Sequence, residues 1–139
     1  MHISSVTSDG MPWISPVWFA YDADFHFYWT SSPESQHSKN FTKKPDIAFV
    51  IYNSSAQSEN WGLYVKAKAY ELGDNKEELQ KAINIFYKRK NITARPIEDF
   101  LDGAPRRMYK AIAESFWVND YDKNRVPADL KIEVNLRNN

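Results

Sequence analysis

Residues Ile47 to Tyr52 read I-A-F-V-I-Y, six apolar residues in succession. A strand with this pattern has no polar face, so it belongs inside a sheet with cover on both sides. The surrounding sequence supplies the neighbours it needs as short β-type runs. His2 to Thr7 is one, followed by a Ser8-Asp9-Gly10 turn signal. Trp13 to Tyr21 is a second, placing Trp13, Ser15, Val17, Phe19 and Tyr21 on one face. Pro16 lacks the N–H that a ladder requires, which assigns this strand to an edge or a bulge. Asp22-Ala23-Asp24 turns the chain into a third run, Phe25 to Thr30. After a polar loop from Asn53 to Asn60, Leu63 to Tyr70 alternates small apolar residues with Tyr and Lys.

The period then changes. Leu79, Ala82, Ile83, Phe86 and Tyr87 recur at helical spacing between Lys76 and Lys90. Asp74 and Glu77 form a capping-box pattern before them. Lys88-Arg89-Lys90 falls at the end of that helix, where the dipole favours cations. Pro96 and Pro105 bracket a shorter helical piece, Ile97 to Leu101, and two closing strands are expected at Ala113–Asn119 and Leu130–Leu136. The expectation is a mainly β protein: antiparallel strands, few helices, and closure into a small barrel that removes exposed edges. A length of 139 residues suits one domain spanning 1–139.

Lys plus Arg and Asp plus Glu balance at 18 each. A nucleic-acid binder driven by bulk charge would carry a basic excess. The chain has no cysteine, which removes disulfides, thiolate chemistry and thiolate zinc sites. No apolar run reaches membrane-spanning length, and the N-terminus lacks a signal-peptide pattern. A cytoplasmic protein that binds neither nucleic acid nor membrane is expected. No G-x-S-x-G, P-loop or dinucleotide-binding glycine pattern occurs. His2, His26 and His37 have no metal-ligand spacing, so no metal is expected; His26 reads as a strand or interface residue, and Asp22 and Asp24 as turn residues.

The chemistry concentrates between Phe25 and Pro45, F-H-F-Y-W-T-S-S-P-E-S-Q-H-S-K-N-F-T-K-K-P. An aromatic strand ends in Thr30, Ser31 and Ser32, and a helix follows, with Ser32 in the cap position and Pro33 in the first helical position. N–H groups at a helix start lack intrahelical partners, and the dipole there attracts anions. Hydroxyls, His37 and Lys39 around that start form a phosphate seat, and the aromatic strand offers a surface for a flat ring. The plainer reading is a helix cap with a surface His and a solvated Lys. With four glycines in the chain, a phosphate would be held by hydroxyls and the helix end rather than by a glycine-rich loop.

These elements together resemble the pyridoxamine 5'-phosphate oxidase-like family of FMN-binding split β-barrels. The matching residues are the Gly10–Pro12 turn, the Ser15–Val17 S-P-V strand and the Tyr28–Ser31 Y-x-T-S strand end. Ser35, His37, Asn40, Phe41 and Pro45 then match the following helix, and Ala67 replaces the glycine of a V-x-G-x-A strand. The resemblance covers about residues 5 to 72. It implies a Greek-key split barrel with FMN at a homodimer interface, and haem or the deazaflavin F420 as less favoured cofactors. It implies that Ser15, Pro16, Val17 and Trp18 run along the ring, with Trp29 and Trp61 near it. It implies that Thr30, Ser31, Ser32, Gln36, His37 and Lys39 hold ribityl and phosphate. The Gln36-His37 pair stands where the family commonly has two basic residues, and the oxidase's substrate-reading C-terminal Arg and His residues have no counterpart in Leu130–Asn139. The implied activity is therefore flavin-dependent hydride transfer with an unspecified small substrate, or a cofactor-holding module without a reaction.

Overall fold

The structure is a computed structural model and describes residues 1–53, 62–121 and 127–136. The described residues form eight strands: β1 (His2–Val6), β2 (Pro12–Pro16), β3 (Ala20–Tyr21), β4 (His26–Ser31), β5 (Asp46–Tyr52), β6 (Gly62–Glu71), β7 (Arg107–Tyr121) and β8 (Pro127–Val134). Helix α1 (Gln36–Lys43) lies between β4 and β5, helix α2 (Lys76–Lys90) follows β6, and a 3-10 turn (Ile97–Phe100) precedes β7. All strand pairs are antiparallel, in the order β2-β1-β5-β6-β7-β4-β3, with β8 also on β7.

The order itself explains the barrel. Strands β2 and β3 lie at opposite ends of the sheet, yet only Val17, Trp18 and Phe19 separate them in sequence. The four Cα steps from Pro16 to Ala20 reach at most about 14 Å. The sheet must therefore curl until its ends approach. Contacts across the interior confirm the closure: Phe27 of β4 meets Phe49 of β5 edge-on, with ring centroids 4.8 Å apart, although β7 and β6 stand between them in the sheet. The two ends do not hydrogen-bond to each other, so the barrel is split.

The expected strand from Trp13 to Tyr21 is thus two strands. Pro16 faces His2 at a position that needs no ladder N–H, and Val17 and Met1 close the β1–β2 ladder by exchanging both backbone bonds, at 3.0 and 3.1 Å, before the chain leaves the sheet. Strand β5 corrects a second expectation. Ile47 and Phe49 point into the core, but Ala48 and Tyr52 are exposed and Val50 is half-buried. Among the described residues, nothing covers that outer face. Together with His2, Ile14, Tyr64 and Trp117 it lines a groove of about 500 Å³.

Helix α2 packs Leu79, Ala82, Ile83, Phe86 and Tyr87 against the barrel, as its period requires. Its cap is Asn75, whose side chain accepts the Glu78 N–H at 3.2 Å; Asp74 instead takes the Arg107 guanidinium. Strand β7 starts six residues before the expected Ala113, because Met108, Tyr109 and Ala111 belong to the core and Arg107 is buried with them. The last strand ends at Val134 rather than Leu136. No helix among the described residues is long and apolar enough to cross a membrane.

The Asp22 turn joins β3 to β4 and is held by one carboxylate. Asp22 accepts from the backbone N–H groups of Asp24 and His26 at 3.1 and 3.0 Å and from the Tyr28 hydroxyl at 2.9 Å. His26 Nδ1 lies 3.2 Å away and Lys81 Nζ 3.3 Å. Burial alone would raise the carboxyl; the bonds from His26 and Tyr28 outweigh it and hold the pKa at about 2. A depressed carboxylate contributes stability above its unfolded pKa and loses it as pH falls through the folded one. Stability should therefore decline between about pH 4 and about pH 2. Asp22→Asn should lower stability at pH 7 by roughly 1.5–3 kcal/mol, the range for hydrogen bonds to a charged group, and flatten that acid slope in urea melts. An equal slope in both proteins would remove Asp22 as its source.

Candidate cofactor-binding site

The functional side chains converge where β4 ends, α1 begins and β2 passes beneath. Thr30 and Ser31 pair with Met108 and Arg107 of β7, which fixes the strand end. Helix α1 starts three residues later than the sequence pattern suggests. Ser32 opens a turn, accepting the Glu34 N–H on its hydroxyl at 3.1 Å and the Ser35 N–H on its carbonyl at 3.1 Å. Pro33 lies inside this turn, and Ser35 takes the cap position.

Ser35 does not cap the helix with its side chain. Its hydroxyl lies 2.9 Å from Ser31 Oγ, 2.8 Å from Ser38 Oγ and 3.2 Å from His37 Nε2. His37 Nδ1 continues the chain to Ser15 Oγ at 3.2 Å, and Ser15 accepts the Trp13 indole N–H at 3.1 Å. Strand β2, the end of β4 and the start of α1 are thus tied by one hydroxyl–imidazole cluster. The first-turn N–H groups of α1 are left without a side-chain cap, which is the arrangement that binds anions.

His37 is 9% exposed. Burial disfavours its imidazolium and lowers its pKa, so it is neutral at pH 7, donating from one ring nitrogen and accepting at the other. Behind it stands an aromatic wall: Phe41 at 5.6 Å between centroids, then Trp29, whose indole stacks on Tyr109 at 5.8 Å. On the inner side of α1, Asn40 donates to buried Ser5 at 2.9 Å and accepts from Gln36 at the same distance.

The structure therefore brings Ser15, Ser31 and His37 into direct connection and places Thr30 and Ser32 beside them. Pro16 is exposed and Val17 half-buried on the link between β2 and β3. Other expected residues are placed elsewhere. Trp29 has no exposed surface and is a core residue of this protomer. Gln36 is directed along its helix, and Lys39 pairs with Glu34 at 2.9 Å on the exposed side. Trp18 is exposed beyond the barrel end, beneath Lys90. Trp61 lies outside the described residues.

Two participants were not assigned roles from sequence: Ser35 and Ser38. Their S-x-H-S spacing on one helical turn is the signal that finds them. Arg107 at the start of β7 is buried and pairs with Glu71 at 2.7 Å and Asp74 at 3.1 Å. It lines a cleft of about 470 Å³ next to the Ser32–Glu34 turn, with Glu34, Glu71 and Asp102 on the same walls. Asp22, Asp24 and His26 bring metal-capable atoms within 4.8 Å of one another, but Lys81, Tyr28 and two backbone N–H groups already engage Asp22.

A family model described as pyridoxamine 5'-phosphate oxidase matches residues 1–120. The chain belongs to that family. No curated protein matches it. Solved structures share the split-barrel fold at low identity. A heme binding protein from Mycobacterium smegmatis superposes with a TM-score of 0.68 at 15% identity, over 96% of this chain and 51% of that one. An F420 reductase gives 0.60 at 20%, over 83% and 86%. A FAD-binding protein from Mesorhizobium loti gives 0.63 at 16%, over 84% and 83%. Proteins of this fold thus hold flavin, deazaflavin or haem.

His37→Ala should leave the Ser15 and Ser35 hydroxyls short of a partner and cost about 1–3 kcal/mol. In the wild type, NMR titration of the His37 ring should show it neutral at pH 7, with protonation only below the free-imidazole value of about 6.5. Because burial depresses that pKa, the contribution of His37 to stability is present at neutral pH and is lost on acidification. A ring charged at pH 7 would contradict this geometry.

Proposed function

We propose that the protein is an FMN-binding flavoprotein that works as a homodimer and transfers hydride to or from a small substrate. The observation that carries the reading is the uncapped start of α1. Ser35, in the cap position, turns its hydroxyl to His37, Ser31 and Ser38 and leaves the helix N–H groups for an anion. The donor set suits a phosphate: a helix terminus and serine hydroxyls, steadied by His37, whose two ring nitrogens meet Ser15 and Ser35. Ser15, one hydrogen bond from His37, leads directly into the Pro16–Trp18 backbone, along which the ring would lie. FMN supplies the hydride chemistry when bound. The residues of this chain would anchor its phosphate at the first-turn N–H groups of α1 and the Ser31 and Ser32 hydroxyls, with Ser35 and His37 holding that turn in place, and orient its ring. Gln36 and Lys39, engaged with Asn40 and Glu34, add little to this anchor.

The walls beside the seat favour FMN over F420. Glu34, Glu71 and Asp102 line the adjoining cleft, and its one guanidinium is already paired with two carboxylates. A ligand ending at its phosphate avoids them, whereas an anionic tail continuing past the phosphate would be repelled.

The dimer follows from β5. Its outer face is apolar, contiguous with Ile14, 67% exposed, and Trp117, and it lies open in the protomer. Self-association is the simplest cover for a strand that is apolar on both faces.

Three measurements test the reading. FMN added to the purified protein should bind with quenched flavin fluorescence, and Ser35→Ala or His37→Ala should each weaken binding about tenfold, the worth of one hydrogen bond of about 1.4 kcal/mol. A colourless protein that ignores FMN would sink the proposal, and a Soret band would replace flavin by haem. Turnover of NADH or NADPH by the flavin-loaded protein separates an oxidoreductase from a holder. Light scattering should give a dimer for the wild type and a monomer for Val50→Asp; an unchanged mass would remove this face from the interface.

A further inference from the structure

The last turn of α2 carries cations that the proposed flavin site does not use. Arg89 lies 4.7 Å from the Phe19 ring and 5.3 Å from the Tyr21 ring. Lys90 lies 5.6 Å from the Trp18 ring and 5.5 Å from Phe86. Asn91, in the left-handed conformation at φ 54°, closes the helix through its N–H to the Lys88 and Tyr87 carbonyls and so fixes where both cations sit. Phe19 and Tyr21 stack on each other at 6.5 Å beneath Arg89, and Trp18, next in sequence to Phe19, lies beneath Lys90.

Two features mark this patch. Among the described residues, Lys39, Lys68, Lys81, Arg95, Arg107 and Lys110 pair with carboxylates while Lys66, Lys76 and Lys88 do not, and Arg89 and Lys90 are two unpaired cations side by side over aromatic rings. Among the described residues, neither Arg89 nor Lys90 has one within ion-pair distance. Trp18 is 66% exposed and Tyr21 half exposed, a large aromatic area to leave in water on a chain with a full core. Arg89 and Lys90 each lie over one face of these rings, and the exposed remainder of Trp18 and Tyr21 offers a planar anion a ring to stack on with a counter-charge next to it. The helix dipole helps to hold the cations there.

We propose that Trp18, Tyr21, Arg89 and Lys90 form a second binding site, for a nucleotide whose base stacks on Trp18 and whose phosphates meet Arg89 and Lys90. The site begins at Trp18, the last residue of the segment assigned to the flavin ring. Its role as the dock for a nucleotide hydride donor rests on the flavin reading; the site itself does not.

The probe is ADP, titrated calorimetrically into the full chain at low salt, with adenosine as the uncharged control. ADP should bind at least tenfold more tightly than adenosine. Trp18→Ala and Arg89→Glu should each weaken ADP at least tenfold, and Arg89→Lys, which keeps the charge, should retain most of the affinity. Lys76→Glu, the same charge change at the opposite end of α2, should leave it unaltered. ADP no tighter than adenosine overturns the site, as does equal weakening by Lys76→Glu, which would mean a general charge effect. Loss of ADP binding on His37→Ala but not on Arg89→Glu would put the nucleotide in the α1 seat and also overturn it. Titration of FMN alone judges the flavin reading separately, because a protein that binds ADP as described but not FMN keeps this site and loses that one.

Discussion

The whole molecule hangs on a short tether. Val17, Trp18 and Phe19 join two strands that occupy opposite ends of the sheet, and a tether of that length permits no open sheet. Closure brings Phe27 against Phe49 and encloses the aromatic core. It also positions the chemistry. The tether shares Val17 and Trp18 with the segment proposed to face the flavin ring, Ser15 just before it reaches the α1 cluster, and Trp18 and Phe19 at its far end meet the cations of α2. One covalent constraint thus shapes the barrel and sets the spacing between the anion seat and the aromatic patch.

The second organising force is the need to satisfy polar groups once the barrel has closed over them. Ser5, Ser15, His37, Ser38 and Asn40 are all buried and all bonded to one another or to near neighbours. A buried hydroxyl or imidazole left alone costs about 1–3 kcal/mol. The cluster therefore has little freedom, and that rigidity suits a binding seat. The same rule bears on Arg107, whose Nε and Nη2 meet Glu71 and Asp74 while Nη1 has no partner, and on Asp22, which gathers its turn around one carboxylate.

Much of the fold was legible in the residues. Period-two runs marked the strands, the 3.6 period marked α2, and the order of short motifs pointed to the family that the match over residues 1–120 establishes. Local signals failed where a tertiary contact outbid them. Ser32-Pro33 has the chemistry of a helix start, but Ser31 and Ser32 are committed to the strand end and its turn, so the cap moves to Ser35. The basic-looking start of β7 hid core residues, because the carboxylates that neutralise Arg107 come from more than 30 residues away. Within the site, the residue types were visible but their pairings were not: His37 was found, while its bonds to Ser15 and Ser35 depend on how β2 passes under α1.

Residue pattern alone determined that the chain is a mainly β barrel with an anion-friendly helix start and an apolar central strand, because periodicity and turn chemistry act between near neighbours. Only the tertiary structure decided which face of that strand stays open, that His37 is buried and neutral, and that Arg89 and Lys90 lie over Phe19, Tyr21 and Trp18. Burial and charge pairing depend on residues far apart in sequence, and closure through Val17–Phe19 is what brings those residues together.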